Sequence, residues 1–139
     1  MGFGNAILSA FEGFMVFRGR ARRTEFWWFF LFILIACIAS AFLELVVQTK
    51  MISIGVNVAL FMPFIAVTIR RLHDTGRNFL YILILFVPIP LYYIGPEVWG
   101  LGQLFAIASM LLILCLPGNV GTNRFGSDPR VNHDLDAFR

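Results

Sequence analysis

FRGRARRTEFWWFFLFILIACIASAFLELVVQTK, residues 17–50, decides the fold. Four arginines (Arg18, Arg20, Arg22, Arg23) are followed at once by an apolar run from Phe26 to Val47. At about 1.5 Å per residue an α-helix of that length reaches ~33 Å, enough to cross a ~30 Å hydrocarbon core. Thr24 is placed to cap this helix, and Glu25 suits the positive end of its dipole. Trp27 and Trp28 fit an aromatic belt at headgroup depth. Gln48, Thr49 and Lys50 then mark the far surface.

The same pattern repeats along the rest of the chain. A second apolar run, about 52–69, contains Pro63, a residue that kinks helices, and stops at Arg70-Arg71. RRLHDTGRN, residues 70–78, reads as a polar loop in which Gly76 takes the left-handed conformation that closes a helix. A third run, about 79–95, is interrupted by Pro88 and Pro90 and is expected to be bent or broken. Pro96 and Glu97 are good first-turn residues for a fourth helix over about 98–116, which Pro117-Gly118 stops. Residues 117–139 form a polar tail rich in Gly, Asn, Asp and Pro.

Upstream of the first span, Phe3, Ile7, Phe11 and Phe14 share one helical face, while Asn5, Ser9 and Glu12 lie elsewhere. Residues 1–17 are therefore predicted to form an amphipathic helix. It lies either in the membrane interface or on the protein's own polar face. The reading is an all-α integral membrane protein of one domain, 1–139. It has four transmembrane helices, the third proline-broken, and an N-terminal amphipathic interfacial helix.

Composition agrees. The 139 residues are 59% hydrophobic and 14% charged, with 16 phenylalanines; soluble domains run at about 45–50% and about 25%. So small a chain has too little interior to hide that much apolar surface from water. A net charge of +3 gives no basis for nucleic-acid binding. Cys37 and Cys115 sit in apolar runs and read as small hydrophobes, not as a disulfide or metal pair. Leu34-Ile35-Ala36-Cys37 looks like a lipoprotein cleavage box, but the apolar run continues about ten residues past the cysteine, unlike a signal peptide.

Charge placement fixes an orientation. Four spans put the N-terminus, the 70–78 loop and the tail on one side, with Arg18, Arg20, Arg22, Arg23, Arg70, Arg71, Arg77, Arg124, Arg130 and Arg139. The other side keeps only Lys50, so ten of the 11 basic residues predict that both termini are cytoplasmic.

Three motifs, FRGRARRTEFWWF at 17–29, RRLHDTGRN at 70–78 and PGNVGTNRFGSDP at 117–129, give the chain a family resemblance. In their order and their relation to the apolar runs it resembles the domain of unknown function 805 family of small bacterial inner-membrane proteins. The likeness covers about Phe17 to Pro129. That family tends to carry a tryptophan pair after the RRLHD loop and a shorter third apolar region. Here Phe79-Leu80-Tyr81 stands in place of the pair and the region near Tyr92–Leu104 is extended, which favours two full spans. The resemblance implies location and architecture but no reaction.

Chemistry is expected where the motifs share a face. Arg20, Arg22, Arg23, Arg70, Arg71 and Arg77 are candidates for binding an anion such as a lipid phosphate, which suits the bidentate guanidinium fork. The alternative is topological: the arginines hold orientation, and some pair with Glu25, Asp74 and Asp128. Asp74 or Asp128 is expected to pair with an arginine of another motif, with His73, Asn123 and Arg124 in the same structural cluster. His73-Asp74 is a weak catalytic pair, since adjacent residues on a helix do not face each other. His133, near Asp134 and Asp136, is the only other histidine, so no metal site is expected. Glu44 is the one acid inside an apolar run and the candidate for transport, although it can also reach the interface near Gln48 and Lys50. The chain lacks GxSxG, HExxH, CxxC and a phosphate-binding glycine loop. Three functions compete: a non-enzymatic membrane protein that meets anionic lipid or a protein partner, a small oligomeric transporter using Glu44 and the broken third span, and an intramembrane enzyme using His73 and Asp74. No cofactor is implied.

Overall fold

The computed structural model describes residues 2–49 and 51–129. Among the described residues there are four α-helices: α1, Phe3–Glu12; α2, Arg23–Val47; α3, Met51–Asp74; and α4, Pro96–Cys115. Between α3 and α4 lie two 3-10 helices, Phe79–Phe86 and Ile89–Tyr93. Among the described residues there is no strand, only an isolated bridge between Asn123 and Gly126. α2, α3 and α4 are each long and apolar enough to cross a membrane.

The α2–α3 hairpin turns at Gln48, whose φ of 56° is left-handed and whose N–H donates to the Glu44 carbonyl at 2.8 Å. Pro63 sits within α3 without ending it. The end of α3 differs from the sequence reading. Arg70-Arg71 do not stop it, and the helix runs on through Leu72, His73 and Asp74. It closes at Gly76 (φ 74°). The Gly76 N–H donates to the His73 carbonyl at 3.0 Å, and the Arg77 N–H to Leu72 at 2.9 Å. Those two bonds form the paired closure that a left-handed glycine permits.

Two further helix bounds differ from the sequence reading. α2 begins at Arg23, so Thr24 is inside the first turn, and Arg22 occupies the cap position without a side-chain cap bond. α1 is shorter than 1–17, leaving Phe14 beyond its end. Its buried positions are Ala6 and Ala10, small residues that let it lie close to α2. Phe3 packs edge-on against Trp28, and Phe11 against Phe29 and Phe32.

The third apolar segment is not α-helical. Its 3-10 winding breaks near Pro88, and prolines 88 and 90 have no N–H for an α ladder. The segment runs antiparallel to α4. Ile82 and Leu85 pack against the cluster that holds Met110 and Leu114, while Pro88 and Leu91 lie against Gly102. Winding at ~2.0 Å per residue lets a short segment match a 20-residue α4 of ~30 Å, which tighter-rising α-helix would not.

A small core of Phe26, Phe29, Val67, Leu72, Met110 and Leu114 sits at the arginine end of the bundle. Away from it the helices present Phe42, Leu45, Val58 and Phe105 outward, each more than 60% exposed. In water that much contiguous apolar surface is a heavy cost; in hydrocarbon it is the favoured outer face. Cys37 and Cys115 are free thiols; Cys115 is exposed and not a core residue, and Cys37 is half-buried.

Candidate functional site

Asp74, the last residue of α3, organises the arginine end. It is 4% exposed. Arg20 Nε donates to its Oδ1 at 2.9 Å, and Arg71 Nη1 donates to its Oδ2. One carboxylate thus pairs with two guanidinium groups, one from each of the first two motifs. The third motif closes over it: the Asn119 N–H donates to the Asp74 carbonyl at 2.8 Å. Gly118 lies so close that a Cβ there would meet Oδ2 at 2.0 Å, which is why only glycine fits.

The arginines carry this link outward to backbone carbonyls. Arg20 also donates to the carbonyls of Asn119 and Gly121. Arg71 is fully buried and donates Nε to the Leu114 carbonyl at 3.0 Å and Nη2 to that of Leu116. Arg23 Nε donates to Leu116 as well, at 3.1 Å. The end of an α-helix leaves its last carbonyls without partners, and here cations satisfy them, the favoured charge at that end. Arg22 donates Nε to the Pro129 carbonyl at 3.0 Å.

The tail returns the contacts. Asn123 Nδ2 donates to the His73 carbonyl at 2.9 Å, and its Oδ1 accepts the Phe125 N–H at 2.9 Å. Phe125 stacks on the His73 ring with centroids 4.0 Å apart, and Arg124 lies over the other ring of that pair. Arg124 also donates to the Gly76 carbonyl at 3.2 Å. His73 Nδ1 is 3.3 Å from the Gly19 carbonyl. Asp128 is buried and accepts the Gly121 N–H at 3.1 Å, tightening the tail's own turn.

A second tie joins α1, α2 and α3. Glu25 is buried, accepts the Ser9 hydroxyl at 3.0 Å and sits 3.3 Å from Arg70 Nη1. Arg70 Nε and Nη2 are buried and have no hydrogen-bond partner among the described residues.

The six arginines chosen as anion ligands therefore separate into groups. Arg20 and Arg71 are buried in the lock, Arg70 is turned toward Glu25, and half-buried Arg22 holds the Pro129 carbonyl. Arg23 is exposed, and Arg77 lies 5.8 Å over the Tyr81 ring. Arg18, left out of that set, is exposed. Sequence reading also missed Ser9, Gly118 and Phe125; only Gly118 carried a signal, as a glycine directly after the proline that ends α4. His73 and Asp74 do not act as a pair, since the ring packs on Phe125 and the carboxylate faces the two arginines. Glu44 Oε1 accepts from the N–H and hydroxyl of Ser53 at 2.9 and 2.7 Å, so this acid caps the start of α3. Lys50, Arg130, His133, Asp134, Asp136 and Arg139 lie outside the described residues.

The family described as "Protein of unknown function (DUF805)" matches residues 14–127. The chain belongs to this family. Among its DUF805 relatives, inner membrane protein YhaI of Escherichia coli K12 is 34% identical over 128 residues, covering 88% of this chain and 93% of YhaI. Inner membrane protein YhaH of the same strain is 30% identical over 130 residues, 89% and 95% of the two chains. Uncharacterized protein YiiR, also from that strain, is 30% identical over 127 residues, 81% of this chain and 84% of its own. No solved structure matches the chain. In this DUF805 protein the matched region spans the Asp74-centred contacts of Arg20, Arg71 and Asn119.

Proposed function

We propose that this DUF805 protein is a non-enzymatic, multi-pass protein of the bacterial inner membrane whose arginine-rich cytoplasmic face meets anionic lipid headgroups. The observation that supports it is the closure of three separated motifs around Asp74 at one end of the bundle, leaving Arg18 and Arg23 exposed at its rim. The Asp74 lock makes the platform rigid; the rim arginines supply the charge. Each basic group near an anionic leaflet contributes about 1 kcal/mol. Four crossings with cytoplasmic termini fit the ten-to-one placement of basic residues and a third segment that runs alongside α4.

The test is lipid retention by the purified protein in native mass spectrometry, with phosphatidylglycerol and phosphatidylcholine offered together. Retention is expected to favour phosphatidylglycerol and to fall in an Arg18→Ala/Arg23→Ala variant. Equal retention of both lipids would overturn the reading. Nothing in the geometry favours transport through Glu44, whose carboxylate is engaged at the α3 start.

A further inference from the structure

Two cavities lie end to end along the same helices. The first, ≈330 Å³, opens at the arginine end and is lined by Arg22, Arg23 and Thr24 of the α2 start and by Pro117 and Gly118 beyond α4. Arg23 uses Nε on the Leu116 carbonyl and is otherwise exposed, so its terminal nitrogens remain as donors. Asp74 also borders this space, but both of its oxygens already accept from Arg20 and Arg71. The second cavity, ≈350 Å³, is lined wholly by apolar surface between α2, α3, α4 and the first 3-10 helix. Its one hydroxyl residue, Thr68, donates to the Phe64 carbonyl at 2.7 Å.

Their linings follow one another along the same helices, with no residue in common. On α2 the lining passes from Arg23 and Thr24 to Phe26 and Phe30; on the α4 side it passes from Pro117 to Leu114 and Leu111. Two or three residues are ~3–5 Å along a helix axis. A cationic chamber thus sits directly over an apolar cleft, and exposed Phe61, Phe86 and Ile107 mark the cleft's open rim. A hydrophobic stripe alone would accept any acyl chain or a neighbouring helix. The arginine chamber at its mouth adds charge complementarity for an anionic head.

We infer that the two cavities form one site for a single phospholipid, with its phosphate against Arg23 and an acyl chain in the cleft between α2, α3 and α4. This rests on the headgroup reading above and narrows it from a surface to a site.

The full-length protein in detergent is titrated with phosphatidylglycerol and read by native mass spectrometry. One phosphatidylglycerol per chain is expected to survive conditions that strip the rest. Lyso-phosphatidylglycerol, with one chain and an anionic head, should displace it. Glycerophosphoglycerol, the head without a chain, and lyso-phosphatidylcholine should not. Arg23→Ala and the cleft-filling Leu111→Trp should each weaken retention about tenfold or more. The wild-type competition needs no variant to fold. Should phosphatidylglycerol be preferred while glycerophosphoglycerol competes as well as the lysolipid, the cleft assignment falls and the headgroup reading stands. Absence of any preference for the anionic lipid removes both. A lipid-free dimer that dissociates on Leu111→Trp would assign the cleft to a second copy and overturn the inference.

Discussion

Asp74→Asn should open the third motif while leaving the membrane helices in place. The Asp74 side chain is 6% exposed and faces Arg20 and Arg71, whose side chains are 1% and 0% exposed. Neutralising it leaves two buried cations with one amide between them. Removing one partner of a buried ion pair costs about 3–5 kcal/mol; asparagine keeps an acceptor, so the lower end, about 3 kcal/mol, applies. At 1.4 kcal/mol per tenfold, the open state of the tail becomes ~100-fold more populated. Trypsin cleavage after Arg124 reads this directly, because that residue lies inside the docked turn between Asn123 and Gly126. When opening is fast relative to cleavage, the rate follows the open population. In nanodiscs, Asp74→Asn is expected to speed cleavage after Arg124 about 100-fold. Arg20→Ala should act similarly, and the double variant should add much less than the sum, because both remove the same contact. Arg18→Ala, exposed and outside the lock, is the control. Cleavage of Asp74→Asn within twofold of wild type would refute the idea that this ion cluster holds the tail down.

Gly118→Ala should mimic Asp74→Asn in the same assay, because its Cβ would fall 2.0 Å from Asp74 Oδ2; an unchanged digestion pattern would show that the close approach is relieved cheaply. Gly76→Ala places a side chain at φ 74° and 2.6 Å from Asn119 Nδ2. A loss of about 1–2 kcal/mol or more is expected from the left-handed backbone alone, measured as lowered thermal stability in detergent. Glu44→Gln retains an acceptor for Ser53 and should change stability little, whereas Glu44→Ala should cost about 1 kcal/mol as a lost cap; equal melting temperatures for all three proteins would show that the cap is energetically silent. Ser9→Ala, which removes the hydroxyl donated to Glu25, should lower thermal stability by about 0.5–1.5 kcal/mol; no change would show that α1 docks through its aromatic contacts alone.

The apolar runs made α2, α3 and α4 legible, because lipid-facing helices need uninterrupted hydrophobic residues and Pro96 and Gly76 mark a start and a stop. The polar stretch at 70–74 was misread as loop. Arginine and aspartate usually signal water, but here α3 continues because Arg71 reaches the α4 carbonyls and Asp74 gathers two guanidinium groups. That pairing is a tertiary fact with no local signature. The sequence order of three arginine motifs on one side did point to their contact, although not to which arginines are buried. Arg18 and Arg20 differ by two positions and little else in sequence, yet one is exposed and the other locked under the tail. The 3-10 winding of 79–93 was equally hidden: the prolines foretold a break, but the extended rise follows from the length of α4 beside it.

Sidedness tests the account most directly. In a cysteine-free background (Cys37→Ser/Cys115→Ser), single cysteines are introduced by Met51→Cys, Tyr93→Cys, Asn78→Cys and Val120→Cys. Each is probed with a membrane-impermeant maleimide in intact spheroplasts and again after permeabilisation. Met51→Cys and Tyr93→Cys should label in intact spheroplasts, and Asn78→Cys and Val120→Cys only after permeabilisation. Labelling of Val120→Cys from outside, or of Tyr93→Cys only from inside, would contradict four crossings with the arginine lock on the cytoplasmic face.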